Sequence, residues 1–263
     1  MIGKLFRRTA PDPTPQPAAL PRRILRLPAM PSAIYAIGDV HGRTDLYDAM
    51  IEKIVEDGRA FAGTKLIVLL GDIVDRTTGS AGMIDRAMAP APAGFQRVTL
   101  CGNHEDMMLK FIDEPGENKS WLDFGGTETL LSYGLKPSEE GRFDQSVARL
   151  SQMMQAAIPE DHQNFLAQLP VGLVVGNYRF AHAFYDLAKP MEQQIPRNLM
   201  WGRPTDVEAH AGPEILIHGH VITETPYVGR NRINVDTGAY TGAPLTAVRI
   251  TADQQDPSIL QVR

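Results

Sequence analysis

The sequence predicts an α/β domain over residues 33–252 that carries a helical insertion. Three observations predict it. Short apolar runs recur and end at glycine: AIYAIG (33–38), KLIVLLG (65–71), RVTLCG (97–102) and EILIHG (214–219). A stretch with helical spacing of apolar residues joins the first two. Each run is followed at once by Asp, Asn or His.

The first 32 residues differ in texture from the rest. Lys4, Arg7, Arg8, Arg22, Arg23 and Arg26 stand against one acid, Asp12, a net +5; with −5 overall, this leaves −10 for the remaining chain. Prolines at 11, 13, 15, 17, 21, 28 and 31 remove amide donors and oppose helix or strand. This segment reads as a disordered basic arm.

The run 33–38 is β-branched-rich and reads as a buried strand. In TDLYDAMIEKIVEDG, Leu46, Met50, Ile54 and Val55 share one helical face, with Thr44 or Asp45 to cap it and Gly58 to end it. The run 65–71 is the second strand, GSAGMIDRAMA a second helix and 97–102 the third strand. Asp39 and Asp72 are 33 residues apart and Asn103 follows 31 later, each gap about one βαβ unit of roughly 30 residues. Residues 104–170 read mostly as helices, through HEDMMLKFID, 121–132, 143–157 and 159–169. VGLVVGNYRFAHAF then reads as a hairpin turning at Gly176-Asn177. RINVD and LTAVRI supply two more strands, and 253–263 read as a tail.

Composition excludes several classes. A net charge of −5 and pI near 5.8 oppose a nucleic-acid binder with a broad basic face. The single Cys101 excludes an internal disulfide and a multi-thiolate zinc site, and reads as a small buried hydrophobe. No apolar run reaches the roughly 20 residues of an integral membrane segment, and no apolar stretch follows MIGKLFRR as in a secretory signal. The cytoplasm is the expected compartment.

In open α/β sheets, ligands bind beyond the carboxyl ends of strands. There lie GDVH (38–41), GDIVDR (71–76), GNHE (102–105), AHAF (181–184) and HGH (218–220). One Gly-Asp is an ordinary turn, but five such ends at one topological position point to a site. Asp39 and His41, two apart in extended chain, project to one side and can chelate one ion. Asp72 can bridge to a second, Asn103 offers a carbonyl oxygen, and His182 and His220 offer imidazoles. This thiolate-free set suits Mn²⁺, Fe or Zn, and six ligands suit two divalent ions about 3.5–4 Å apart that activate water and clamp a phosphoryl group.

GDVHGR, GDIVDR, GNHE, HGH and NVDTGAY (234–240) resemble the calcineurin-like metallophosphoesterases, and more narrowly the bacterial and phage serine/threonine protein phosphatases of the lambda phosphatase type. FGGTETLLSYG, LMWGR and RINVDTGAYTGAPLTAVRI extend the similarity over roughly 33–250. The resemblance implies a four-layer αββα sandwich of two mixed sheets. It implies that Asp39, His41 and Asp72 hold a first metal, most often Mn²⁺, and that Asp72, Asn103, His182 and His220 hold a second. It makes His104 the general acid, oriented by Asp75, and Arg76 and Arg203 the phosphate clamps. The expected reaction is in-line attack of hydroxide on a phosphomonoester, with phosphoprotein as substrate. Dinucleoside polyphosphates or nucleotides are the alternative, and a non-catalytic scaffold is a third reading that retention of these residues opposes.

Other polar residues receive plainer expectations. Arg43 pairs with surface acids, and His218 supports the site from behind. Glu105 and Asp106 favour a helix N-terminus. His162 and His210 face solvent, and Tyr240 packs. Two positions depart from the family pattern: Thr77 where glycine is usual, and Phe184 where HAG would place glycine. Phe184 is expected to narrow the substrate pocket.

Overall fold

The computed structural model describes residues 23–263 apart from 140–142, 204, 206 and 253–256. The strands are β1 (Ile24–Leu27), β2 (Ile34–Ile37), β3 (Lys65–Leu69), β4 (Phe95–Thr99), β5 (Gly172–Val175), β6 (Tyr178–Ala181), β7 (Ile215–His218), β8 (Tyr227–Val228), β9 (Arg232–Asn234), β10 (Leu245–Ile250) and β11 (Ser258–Val262). The helices are α1 (Thr44–Gly58), α2 (Ser80–Met88), α3 (Asn103–Asp113), α4 (Gly126–Ser132), α5 (Val147–Ala157), α6 (Glu160–Gln168) and α7 (Pro196–Trp201).

Among the described residues the strands form two mixed sheets, ordered β11-β10-β2-β3-β4 and β1-β5-β6-β7-β9-β8. In the first, β2, β3 and β4 are parallel; in the second, β6, β7 and β9 are parallel. The apolar runs are buried on both faces, which explains why they are continuous rather than alternating. Ile34, Ala36, Leu66, Val68 and Leu70 of the first sheet pack with Leu173, Val175, Phe180, Ile217 and Ile233 of the second. The alternate residues Tyr35, Ile37, Ile67 and Leu69 pack with the helical residues Met50, Ile54, Met83 and Ile84. Two sheets face to face, flanked by helices, are the expected mixed α/β sandwich.

The hairpin turns as expected at Gly176-Asn177, with Val175 opposite Tyr178 and Gly176 at φ 53°. Between β4 and β5 lie α3 to α6 and a 3₁₀ turn at Lys119–Phe124, the helical insertion.

Three local expectations are corrected. Residues 24–27, expected in the disordered arm, form an edge strand parallel to β5, from Ile24 opposite Gly172 to Leu27 opposite Val175. Pro21 and Pro28 flank this segment without entering it, and an edge strand needs amide pairing on one side only. Residues 1–22 of that arm lie outside the described residues. The tail supplies β11, antiparallel to β10 over Leu245–Arg249. Neither Thr44 nor Asp45 caps α1; Arg43 occupies the cap and its guanidinium holds Asp45 at 2.7 Å. No helix among the described residues is long and apolar enough to cross a membrane.

Candidate metal centre

The parallel strands β2, β3 and β4 and the parallel pair β6 and β7 deliver all five expected strand ends to one rim. The loops there are tightly stacked. Gly71, at φ 103°, leaves no room for a Cβ, which would lie 2.6 Å from Gly102 N. Five non-glycine residues among those described have left-handed φ: His41 (46°), Asp72 (49°), Asp75 (71°), Arg76 (68°) and His220 (67°). Each was expected at the site, and each such conformation costs about 1–2 kcal/mol.

Glu105 keeps the most crowded of these loops in shape. Its buried carboxylate accepts hydrogen bonds from the backbone amides of Gly102 (2.7 Å), Ile73 (2.8 Å), Asp72 (2.9 Å) and Val74 (3.3 Å). The expected role at a helix N-terminus is therefore incomplete: Glu105 accepts the amide of Gly102, the N-cap of α3, and also ties the β3 loop to that helix. Burial, then repulsion from Asp72, pushes its carboxyl up to about 7. Thr77 stitches a second junction, its hydroxyl donating to the His41 carbonyl at 2.7 Å.

Asp72 sits at the middle of the site. Its Oδ2 lies 3.3 Å from His182 Nε2, 3.7 Å from His41 Nε2 and 3.8 Å from His104 Nε2. His182 Nε2 is also 2.9 Å from Asn103 Oδ1 and 3.2 Å from His220 Nδ1. Two groups of potential ligands thus share Asp72: His41 with His104, and His182 with His220. Asp39 lies slightly apart, its Oδ1 4.0 Å from His182 Nδ1, and it accepts from the His220 amide. His41 Nδ1 bonds the Val74 carbonyl at 2.7 Å, which leaves Nε2 to face the centre.

Charge and donor type test whether these residues suit cations. Asp39, Asp72, Glu105 and Asp236 are buried together, an arrangement that costs heavily without compensating positive charge. Burial, followed by repulsion from Asp236 and Asp72, raises the Asp39 pKa well above its ordinary value. Burial also lowers His41 to about 3 and His220 to about 4, the neutral form that binds metal. Imidazole, carboxylate and carboxamide donors converge, while Cys101 Sγ faces the Gly102 carbonyl. The residues fit divalent cations of the Mn²⁺, Fe or Zn type.

His104 is differently placed. Its Nδ1 is 2.7 Å from Asp75 Oδ2, whose oxygens also accept from Trp121 Nε1 (2.7 Å) and Thr129 Oγ1 (2.6 Å). Burial opposes the imidazolium, but Asp72 and Asp75 outweigh it and raise the His104 pKa above its ordinary value. Arg76 holds a buried Nε with no acceptor among the described residues, a donor suited to an anion. Its guanidinium lies 5.5 Å from the ring centroid of Tyr240 and 6.0 Å from that of Phe124. Arg203 is exposed and acts on the site through charge, helping to depress His220.

The remaining expectations divide. Arg43 pairs with Asp45 as anticipated. His218 is fully buried, its Nδ1 2.8 Å from the Gly219 carbonyl. Tyr240 sets its ring edge against His41 at 5.0 Å. His162 does not face solvent: it is buried between Tyr133 Oη (2.8 Å) and Asp85 (3.0 Å). His210 is half-buried and meets Glu214 at 2.7 Å. Phe184 is half-buried and packs so closely on Gly202 that a Cβ there would lie 2.7 Å from its own. Sequence reasoning missed Asp236, which is buried beside Asp39 and is pushed to about 6 chiefly by burial. The signal was present, since Asp236 follows β9 as Asp39 follows β2.

The chain is similar to known proteins over most of its length. Over 240 residues the chain is 27% identical to the asymmetrical bis(5'-nucleosyl)-tetraphosphatase PrpE of Geobacillus thermodenitrificans, covering 81% of this chain and 88% of the relative. The protein of the same designation from Anoxybacillus flavithermus is 22% identical over 232 residues, with the same coverage. A crystal structure provisionally assigned as a diadenosine tetraphosphatase shares the fold at TM-score 0.61 and 19% identity, covering 91% of this chain and 98% of that one. A metallophosphoesterase from Sphaerobacter thermophilus does so at 0.51 and 17%, covering 89% of each. Residues 32–237 match the calcineurin-like phosphoesterases, and the chain belongs to that family.

Proposed function

We propose that this phosphoester hydrolase acts on dinucleoside polyphosphates through a dinuclear centre, with Mn²⁺ as the working metal. The observation that carries the reading is the pair of ligand groups sharing Asp72, with His104 and Arg76 on the same rim. Two relatives matched along 81% of the chain and named as tetraphosphatases favour nucleotide over phosphoprotein.

Asp39, His41 and Asp72 hold one cation, and Asp72, Asn103, His182 and His220 the other. When bound, the two cations supply a nucleophile at neutral pH and neutralise phosphoryl charge. Arg76 and Arg203 bind the phosphate oxygens, the first with its unpaired Nε. Attack on one phosphorus breaks a P–O–P bond, and the departing nucleotide takes the electron pair. His104 holds a proton at Nε2 for that oxygen, while Asp75 fixes its ring through Nδ1. A cytoplasmic location fits such a substrate.

The test compares kcat/KM of Mn²⁺-loaded protein on diadenosine tetraphosphate, p-nitrophenyl phosphate and a phosphoserine peptide. The dinucleotide should be preferred at least tenfold. A preference for the phosphopeptide would restore the protein phosphatase reading, and no turnover of any substrate would favour a scaffold.

A further inference from the structure

Four of the large apolar side chains that remain exposed lie beside residues of this centre in the fold or the chain. Phe124 is 48% exposed, Ile222 49%, Val221 37% and Trp201 36%. Each is close in the fold or chain to a residue of the site. Val221 and Ile222 follow His220 directly. Phe124 precedes Gly125, whose carbonyl accepts from the Arg76 amide at 3.3 Å, and its ring faces the Arg76 guanidinium. Trp201 lies two residues before Arg203, and its indole N–H reaches Asp106 on the first turn of α3 at 3.4 Å. An exposed aromatic ring therefore accompanies each of the two arginines.

We propose that Phe124 and Trp201 are specificity residues that stack the nucleobases of the substrate beside its phosphates. This rests on the nucleotide reading above. Both rings are held in place, Phe124 against Arg76 and Trp201 by its indole hydrogen bond, so little ordering is needed when a base arrives. A flat base gains from stacking on such rings whatever its sequence identity, and arginine adds cation–π attraction. A phosphoserine side chain offers no ring beside the phosphate, and an inorganic polyphosphate offers none at all.

The experiment measures two ligands by calorimetry on the Mn²⁺-loaded full chain: AMP, and inorganic phosphate as the baseless control. Phe124→Ala and Trp201→Ala should each raise the Kd for AMP about tenfold, as expected for loss of one base–aromatic stack. Phosphate binding should stay within about twofold, and Phe124→Tyr and Trp201→Phe should retain most of the AMP affinity. Steady-state kinetics on diadenosine tetraphosphate should show the loss in KM rather than kcat. Equal weakening of AMP and phosphate would reveal a structural role and overturn the inference, as would wild-type protein that binds AMP no more tightly than phosphate. Unaltered AMP affinity in both alanine variants would do the same. Failure of the wild-type protein to cleave the dinucleotide would instead overturn the reading of function.

Discussion

Replacement of Glu105 by alanine should destabilise the metal-free protein by about 3–5 kcal/mol. The side chain is fully buried and accepts four backbone amides at 2.7–3.3 Å. A hydrogen bond to a charged acceptor contributes roughly 1.5–3 kcal/mol. The four do not add fully, because water entering the truncated site re-solvates some of the amides. Two or three buried amides left unsatisfied, at roughly 1–3 kcal/mol each and less the relieved repulsion from Asp72, bring the total to about 3–5 kcal/mol. For a chain of this size the loss corresponds to roughly 6–20 °C in Tm. Glu105→Gln is the sharper variant. One oxygen can still serve Ile73 and Val74, but the amide NH₂ then faces the Asp72 and Gly102 N–H groups, donor against donor. Glutamine should therefore rescue little. The measurement is denaturant unfolding at pH 8 in excess chelator, above the carboxyl's pKa of about 7, so that metal affinity does not enter. A loss below about 1 kcal/mol, or full rescue by glutamine, would refute the backbone-clamp account.

Other expected outcomes follow from the same geometry. His104→Asn should lower kcat on diadenosine tetraphosphate about 10²–10⁴-fold while calorimetry still finds two bound ions; loss of metal would show that His104 is a ligand instead. Thr77→Gly removes the hydroxyl bond to His41 and frees the loop, so urea unfolding should show about 1–2 kcal/mol lost. Phe184→Gly should change the ratio of kcat/KM between diadenosine tetraphosphate and p-nitrophenyl phosphate by moving the Gly202-Arg203 segment; an unchanged ratio would remove Phe184 from substrate selection. Metal-free protein should lose stability as pH rises from about 6.5 to 8.5. Over that window Glu105, Asp39, His104 and His182, all with raised pKa, keep protons in the folded state that the unfolded chain has released. At lower pH the depressed His41 and His220 work in the opposite direction; a Tm that climbs between 6.5 and 8.5 in chelator would contradict the assignment.

The strand ends were readable because a parallel strand buried on both faces announces itself as an apolar run, and the residue after its glycine must face the rim. The same logic placed Asp39, Asp72, Asn103 and His220 without reference to pairing partners. Features defined by distant partners were not readable. β1 is a four-residue strand whose neighbour β5 begins almost 150 positions later, and nothing local distinguishes ILRL between prolines from an arm. His162 sits in the polar run EDHQN, yet Asp85 and Tyr133 bury it. Glu105 shows the limit most clearly, since an acid in the first turn looks the same in sequence whether it meets a helix dipole or a neighbouring loop. Asp236 was readable too, since it follows β9 as Asp39 follows β2.

The left-handed backbone at His41, Asp72, Asp75, Arg76 and His220 has a consequence for substitution. At each of these positions glycine would relieve torsional energy of about 1–2 kcal/mol, but it would also delete side-chain bonds such as those of Asp75 to His104, Trp121 and Thr129. At all five positions the backbone strain falls on a histidine, aspartate or arginine, so the torsional cost and the side-chain bonds that offset it belong to the same residues.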